Sequence, residues 1–146
     1  MAKVPDKKTY VVGFLFDPEE TQVVLIRKNR PEWQKGKLNG VGGKVEPGEA
    51  PMNAMSREFK EEAGVDIPAT DWRCFVSMEY RGTMIYFYTA RRECEVRTMT
   101  DEKVDWHIIE VAHDDCGSLK TLPNLKWLIP LALSKDKVIA EVWDPS

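Results

Sequence analysis

No stretch of the 146-residue chain approaches the ~20 consecutive apolar residues that a membrane-crossing helix needs. Its first residues, MAKVPDKKTY, carry charge and no apolar core, so no signal peptide is expected and a cytoplasmic location is. Cysteine is scarce. Cys74, Cys94 and Cys116 are an odd number without metal-site spacing, which excludes a disulfide framework and leaves reduced thiols. Histidine is scarcer still: His107 and His113 lie six apart with no further Cys or His at zinc-site spacing. Positive charge is not in excess. A net charge of −3 argues against an extended nucleic-acid surface and leaves a small molecule as the expected partner. There is no internal repeat, low-complexity tract or linker. What remains is a single domain, residues 1–146, with 42% hydrophobic and 31% charged residues, ordinary for a globular protein acting as a monomer or homodimer.

β-branched and aromatic runs are plentiful. Thr9–Phe16 and Gln22–Ile26 read as strands joined by the turn Asp17-Pro18-Glu19-Glu20. Leu38–Val45 reads as short strand and glycine together. Trp72–Tyr80 and Thr83–Arg91 read as an antiparallel hairpin around Arg81-Gly82. Cys94–Asp105 is polar and reads as a loop, Trp106–Val111 as a last inner strand, Ala112–Ser118 as a turn and Val138–Trp143 as a terminal strand. Leu125–Ser134 is an apolar helix candidate with Pro130 inside it. Six or seven strands and two helices predict an α+β fold with a mixed sheet.

The most informative stretch is Gly43 to Val65, GKVEPGEAPMNAMSREFKEEAGV. Pro51 suits a first helical turn and Gly64 a C-terminal stop. At 100° per residue, Met52, Met55, Ser56, Phe59 and Ala63 share one face, and Glu58, Glu61 and Glu62 gather on another. Like charges at this spacing destabilise an isolated helix by a few tenths of a kcal/mol per pair. A cation among them reverses that sign, and hard oxygen ligands suit Mg²⁺ or Mn²⁺. Adjacent glutamates alone read as a solvated helix face.

The whole stretch resembles the Nudix box, G-x5-E-x7-R-E-U-x-E-E-x-G-U with U a bulky apolar residue. Gly43, Glu49, Arg57, Glu58, Phe59, Glu61, Glu62, Gly64 and Val65 fill every fixed position. A chance match of this kind is on the order of 10⁻⁷. The resemblance implies a mixed sheet sandwiched between helices, with the box helix along one side of a cleft. It implies a Mg²⁺-dependent hydrolase, with Mn²⁺ as a possible substitute, cutting a diphosphate linkage in a nucleotide. By position, Glu58, Glu61 and Glu62 resemble the metal-binding glutamates, with a backbone carbonyl at Gly42 beside them. Arg57 and Glu49 resemble the pair that ties loop to helix. Gly43 and Gly64 are backbone requirements. The general base varies among members; Glu61 and Glu58 are candidates, as is a glutamate from a distant loop.

Three further segments resemble the branch of MutT-type enzymes that remove oxidised purine nucleoside triphosphates. Leu38-Asn39-Gly40-Val41-Gly42-Gly43-Lys44 resembles its W-N-G-F-G-G-K run, departing at Leu38, and implies that Asn39 contacts the base. Thr100-Asp101-Glu102, four residues before Trp106, resembles an S-D-E whose glutamate is a metal-side ligand, implying that Glu102 faces the box glutamates across the cleft. Leu122-Pro123-Asn124 falls where that branch places base-reading polar residues, though Asn124 is equally a helix N-cap. Among the cations, Lys28 and Lys44 are candidates for the polyphosphate. Trp33, Trp106 or Trp127 could stack on a base or simply pack in the core. The implied activity is hydrolysis of a purine nucleoside triphosphate, such as an 8-oxo-dGTP-like compound, to monophosphate and pyrophosphate. The alternatives are a dinucleoside polyphosphate or nucleotide-sugar hydrolase, or a non-catalytic nucleotide-binding domain. Tyr80 stands where ADP-ribose hydrolases carry proline, which counts against that substrate.

Overall fold

The computed structural model describes residues 8–109, 121, 124–134 and 140–143. Strands β1 (Lys8–Phe16), β2 (Gln22–Arg27), β3 (Leu38–Asn39) and β4 (Val41–Lys44) precede helix α1 (Pro51–Ala63). Strands β5 (Arg73–Tyr80), β6 (Thr83–Arg91) and β7 (Val104–Ile108), helix α2 (Leu125–Leu133) and strand β8 (Ala140–Trp143) follow. The eight strands of the described residues join one mixed sheet, with β3, β2, β1, β6, β5 and β8 in spatial order.

Strand β1 organises the sheet. It runs parallel to β6 over its whole length, from Lys8 opposite Thr83 to Phe16 opposite Arg91. Its other edge is shared: Tyr10–Gly13 pair with β4, and Phe16 pairs with Val23 of β2. Strand β2 then continues outward and pairs with β7 from Gln22 to Ile26. Alternation along β1 and β2 divides the apolar side chains between two cores. Val11, Leu15, Val24 and Ile26 pack with Ala54, Met55, Phe59 and Ala63 of α1. Phe14, Phe16, Val23 and Leu25 pack with Leu125, Leu128, Ile129 and Ala132 of α2. The sheet therefore lies between the two helices, as a Nudix fold requires.

Turn chemistry matches the sequence. The Asp17 carboxylate accepts the Thr21 and Gln22 amides at 2.8 and 2.7 Å, closing the β1–β2 turn. Arg81 and Gly82 both have positive φ, as a tight hairpin turn demands.

Three details differ from expectation. Strand β7 begins at Val104 rather than Trp106, because its pairing with β2 starts at Ile26 opposite Val104 and no local signal marks that register. Met52 is exposed, whereas Ala54 is fully buried. On a 100° wheel Ala54 belongs to the glutamate side of α1, so that side is not an open face: it lies against β4. The expected turn Ala112–Ser118, Val111 of the expected inner strand and Val138 of the expected terminal strand lie outside the described residues.

Candidate active site

Helix α1 starts with Pro51 in its first turn and ends on Gly64, whose φ of 74° is left-handed and whose N–H is donated to the Lys60 carbonyl. Two later carbonyls of the helix are satisfied from the β6–β7 connection: Arg97 N–H donates to Ala63 at 2.9 Å and Met99 N–H to Glu62 at 3.3 Å. The helix end that carries Glu62 is thereby fixed to the segment that leads to Glu102. At the facing strand, a Cβ on Gly43 would lie 2.5–2.6 Å from the Glu58 carboxyl group. Any side chain there would evict Glu58, which is why this box position needs glycine.

Arg57 is the hub of the loop. Its Nε and Nη2 donate in parallel to the two Glu49 carboxylate oxygens at 2.8 and 2.9 Å. Its Nη1 donates to Glu58 at 2.9 Å and to Glu61 at 3.2 Å, and Nη2 also reaches the Lys44 carbonyl at 3.1 Å. These bonds, that to Glu49 first, raise the Arg57 pKa, and the same pairing lowers that of Glu49. One guanidinium thus ties the box loop to the helix and orients two of the three helix glutamates.

The three glutamates differ in surroundings. Glu61 is 56% exposed at its side chain and Glu58 only 12%. Burial raises the Glu58 pKa against the opposing pull of Arg57. Glu62 is the most perturbed: burial first, then the charges of Glu58 and Glu102, push its pKa up to about 7, with Lys28 and the Gly42 backbone amide opposing. Its Oε2 is buried and has no hydrogen-bond partner among the described residues. An unpartnered buried carboxylate oxygen is costly unless a cation completes it. Among the described residues no three acidic, histidine or cysteine side chains converge closely enough to enclose an ion by themselves. The donor set still fits a hard divalent cation, which keeps several waters and takes one or two carboxylates plus substrate phosphates.

Glu102 lies on the segment that the Arg97 and Met99 amides join to the end of α1. It is 4% exposed, buried despite lying on the β6–β7 connection. Its Oε2 accepts the Asn29 N–H at 2.6 Å and its Oε1 the Lys28 ammonium at 3.2 Å. Its charge helps to raise the Glu62 pKa, and its two oxygens are engaged by the start of the β2–β3 loop. Asn29 was invisible to sequence reading; its contribution is a backbone amide, and its partner is 73 residues away.

The remaining candidates separate. Lys28 pairs with Glu102 at 3.2 Å, and its charge opposes the rise of the Glu62 pKa. Lys44 does not join them: Gly43 pairs with Val11 and Lys44 with Tyr10, so the Lys44 side chain leaves on the opposite sheet face from Glu58. It lines an open cleft of about 500 Å³ with Lys8, Thr9 and Glu46. Asn39 sits in β3 beside Ile26, and its Oδ1 accepts the Gly40 N–H at 2.8 Å. Asn124 occupies the residue before α2, yet its side chain makes no capping bond and its Oδ1 is buried without a partner among the described residues. Trp106 packs in the α1-side core and donates its Nε1–H to the Cys94 carbonyl, and Trp127 packs against the α2-side core. Trp33 alone of the three is exposed, at 65%.

The fold, the loop-helix with its three glutamates and the glycine that accommodates Glu58 define one class of protein. The NUDIX domain family profile matches residues 7–138, and the chain belongs to that family. Members generally use divalent metal ions. Among characterised relatives, the chain is 32% identical over 114 residues to a human 8-oxo-dGDP phosphatase, covering 77% of this chain and 34% of that protein. It is 29% identical over 90 residues to the 8-oxo-dGTP diphosphatase of Escherichia coli K12, covering 59% of this chain and 68% of that protein. The chain thus spans about a third of the length of its human relative. Among solved structures, a MutT protein from Bacillus halodurans superposes with a TM-score of 0.70 at 20% identity, covering 93% of this chain and 89% of that one. A NUDIX hydrolase from Nitrosomonas europaea gives 0.72 at 14% identity, covering 97% and 82%. Both likenesses concern the fold.

Proposed function

We propose that this protein is a Mg²⁺-dependent nucleoside triphosphate diphosphatase, taking Mn²⁺ as a substitute and releasing a nucleoside monophosphate and pyrophosphate. The preferred substrate is a purine nucleotide of the 8-oxo-dGTP kind. The observation that carries the reading is Glu62: a buried, unpartnered carboxylate oxygen beside Glu58, with its pKa pushed up to about 7. Such a group is poorly suited to a merely structural helix and well suited to a cation.

Glu58, Glu61 and Glu62, with the Gly42 carbonyl, would hold the metal. When bound, it supplies positive charge against the polyphosphate oxygens and the charge that develops in the displacement. Arg57 keeps Glu58 and Glu61 in place. Glu61 and Glu58 both remain candidates to accept the proton of the attacking water; Glu61 is the more accessible. Lys28 meets the polyphosphate from the start of the β2–β3 loop. Asn39 and Asn124 are the proposed purine readers, since an amide offers both donor and acceptor to a base edge. The buried Oδ1 of Asn124, which makes no capping bond, supports its place there. The activity of the two relatives on 8-oxo-guanine nucleotides supports the same substrate class.

A product-resolved screen tests this. Purine nucleoside triphosphates, with and without an 8-oxo group, are incubated with Mg²⁺ beside the 8-oxo diphosphate, diadenosine polyphosphates and ADP-ribose. Pyrophosphate with monophosphate is expected from the triphosphates. Preferential cleavage of a dinucleotide or of ADP-ribose would replace this reading.

A further inference from the structure

The β2–β3 loop, residues 28–37, is closed on itself at its base. Lys28 N–H donates to the Lys37 carbonyl at 2.9 Å and Gly36 N–H to the Lys28 carbonyl at 2.8 Å. Arg27 Nη1 adds a bond to the Gly36 carbonyl at 2.9 Å. The loop carries the exposed Trp33 in a single 3-10 turn, Glu32–Gln34. No residue from Glu32 to Gln34 is buried, so the loop has no apolar anchor of its own.

Beyond β2 and β3, its hydrogen bonds to other described residues go to Asp101 and Glu102. Asp101 accepts Asn29 Nδ2–H at its carbonyl at 2.7 Å and pairs with Arg30 at 2.6 Å. Glu102 accepts the Asn29 N–H and the Lys28 ammonium. The Asp101–Arg30 pair is solvent-exposed at both partners and so contributes little. The Glu102 bonds are charge-assisted and partly shielded from water, which strengthens them. Two features set Glu102 apart from Glu62. Glu62 has a buried oxygen without a partner, whereas both oxygens of Glu102 are bonded, one to a cation that would repel a divalent ion placed against the same oxygen.

We propose that Glu102 is a positioning residue: it latches the β2–β3 loop to the β6–β7 connection and aims the Lys28 ammonium at the nucleotide polyphosphate. This replaces the metal-ligand role that the sequence resemblance implied for it, and it deepens the proposed function, on which the Lys28 part rests. The latch also couples the loop to α1. The connection that carries Glu102 is held to the last turn of α1 by the Arg97 and Met99 amides, so Lys28 is linked to the end of the helix that bears Glu62 through those backbone bonds and the Glu102 side chain.

The test uses Glu102→Ala, Glu102→Gln and Lys28→Met in the full chain, with three readouts. The first needs no substrate: metal-free protein is treated with trypsin, and cleavage after Lys35 and Lys37 is followed. Glu102→Ala is expected to be cut in the loop roughly tenfold faster than wild type, because opening the loop no longer breaks two charge-assisted bonds. Glu102→Gln, which keeps an acceptor for the Asn29 N–H, should fall between them. The second readout is Mn²⁺ affinity without nucleotide, by electron paramagnetic resonance; it should stay within about threefold of wild type in all three variants. The third is steady-state kinetics. Glu102→Ala and Lys28→Met should each raise KM about tenfold, with the larger effect on KM rather than kcat. The double variant should be little worse than either single one, since both remove the same interaction.

Unchanged trypsin cleavage in Glu102→Ala overturns the latch. A tenfold or greater loss of Mn²⁺ affinity overturns it in favour of direct metal ligation. Additive KM effects overturn the claim that Glu102 acts through Lys28. If Glu102→Ala does not fold, the Gln variant carries the same three comparisons. If the protein hydrolyses no triphosphate, the proposed function fails, and the trypsin and Mn²⁺ results still decide the latch.

Discussion

Arg57 grips Glu49 through two parallel N–H···O bonds, at 2.8 and 2.9 Å, while the same guanidinium reaches Glu58 and Glu61. A planar guanidinium grips one carboxylate through two parallel bonds and still reaches two others; an ammonium cannot reproduce that bidentate grip. Arg57→Lys is therefore expected to lower kcat by roughly 10²-fold, because Glu58 and Glu61 lose their common orienting group. The circular dichroism spectrum should not change. Turnover within threefold of wild type would show that the hub is dispensable.

Glu61→Gln removes a charge but not the shape of an exposed side chain. A kcat lower by at least ~10²-fold in Mg²⁺, with unaltered thermal unfolding of the metal-free protein, is expected. Near-normal turnover would remove this helix from the chemistry.

Chelation should abolish activity without unfolding the protein. Two apolar cores, one under each helix, hold the sheet, and the proposed metal contacts belong to neither. EDTA is thus expected to leave the unfolding transition cooperative while turnover disappears, and added Mg²⁺ should restore it. A metal-free protein lacking a cooperative transition would contradict this.

Glu62 makes a prediction about pH. Its pKa rises from 4.5 to about 7 in the folded protein, mainly by burial and then by the charges of Glu58 and Glu102. The folded state therefore holds its proton more tightly than the unfolded chain. That stabilisation is complete below about 4.5 and is lost as pH rises through about 7. Metal-free Glu62→Gln should be more stable than wild type at pH 8, by on the order of 1–2 kcal/mol, and the gap should close below pH 5. Urea titrations at the two pH values measure it. Equal stability at pH 8 would mean that Glu62 is not strained by its surroundings.

Gly43→Ala places a carbon where the Glu58 carboxyl group lies. Loss of Mn²⁺ affinity by at least ~10-fold is expected, with both helices retained, since the clash is with a side chain that can turn away. Unchanged affinity would mean that the position of Glu58 does not matter for the cation.

The box itself was legible because every part of it is local. Gly43, Glu49, Arg57 and the three glutamates lie within 23 residues, and helical periodicity alone puts Glu58, Glu61 and Glu62 on one arc. Strands β1, β2, β5 and β6 were legible for the same reason: β-branched runs between turn residues declare themselves in the chain. The sequence also determined the family, through a spacing that tolerates no slippage.

What only the tertiary structure decided depends on pairings between distant segments. The burial of Ala54 follows from where β4 lies, not from the helix wheel. Lys44 leaves the site because one-residue alternation in β4, read against Tyr10 and Val11, sends it to the far face. Glu102 has no local signal that distinguishes a solvated loop glutamate from a buried one; its burial arises where the β6–β7 connection crosses the start of the β2–β3 loop, 73 residues from Asn29. Side-chain spacing fixes which groups share an element, and chain crossings decide which of them meet.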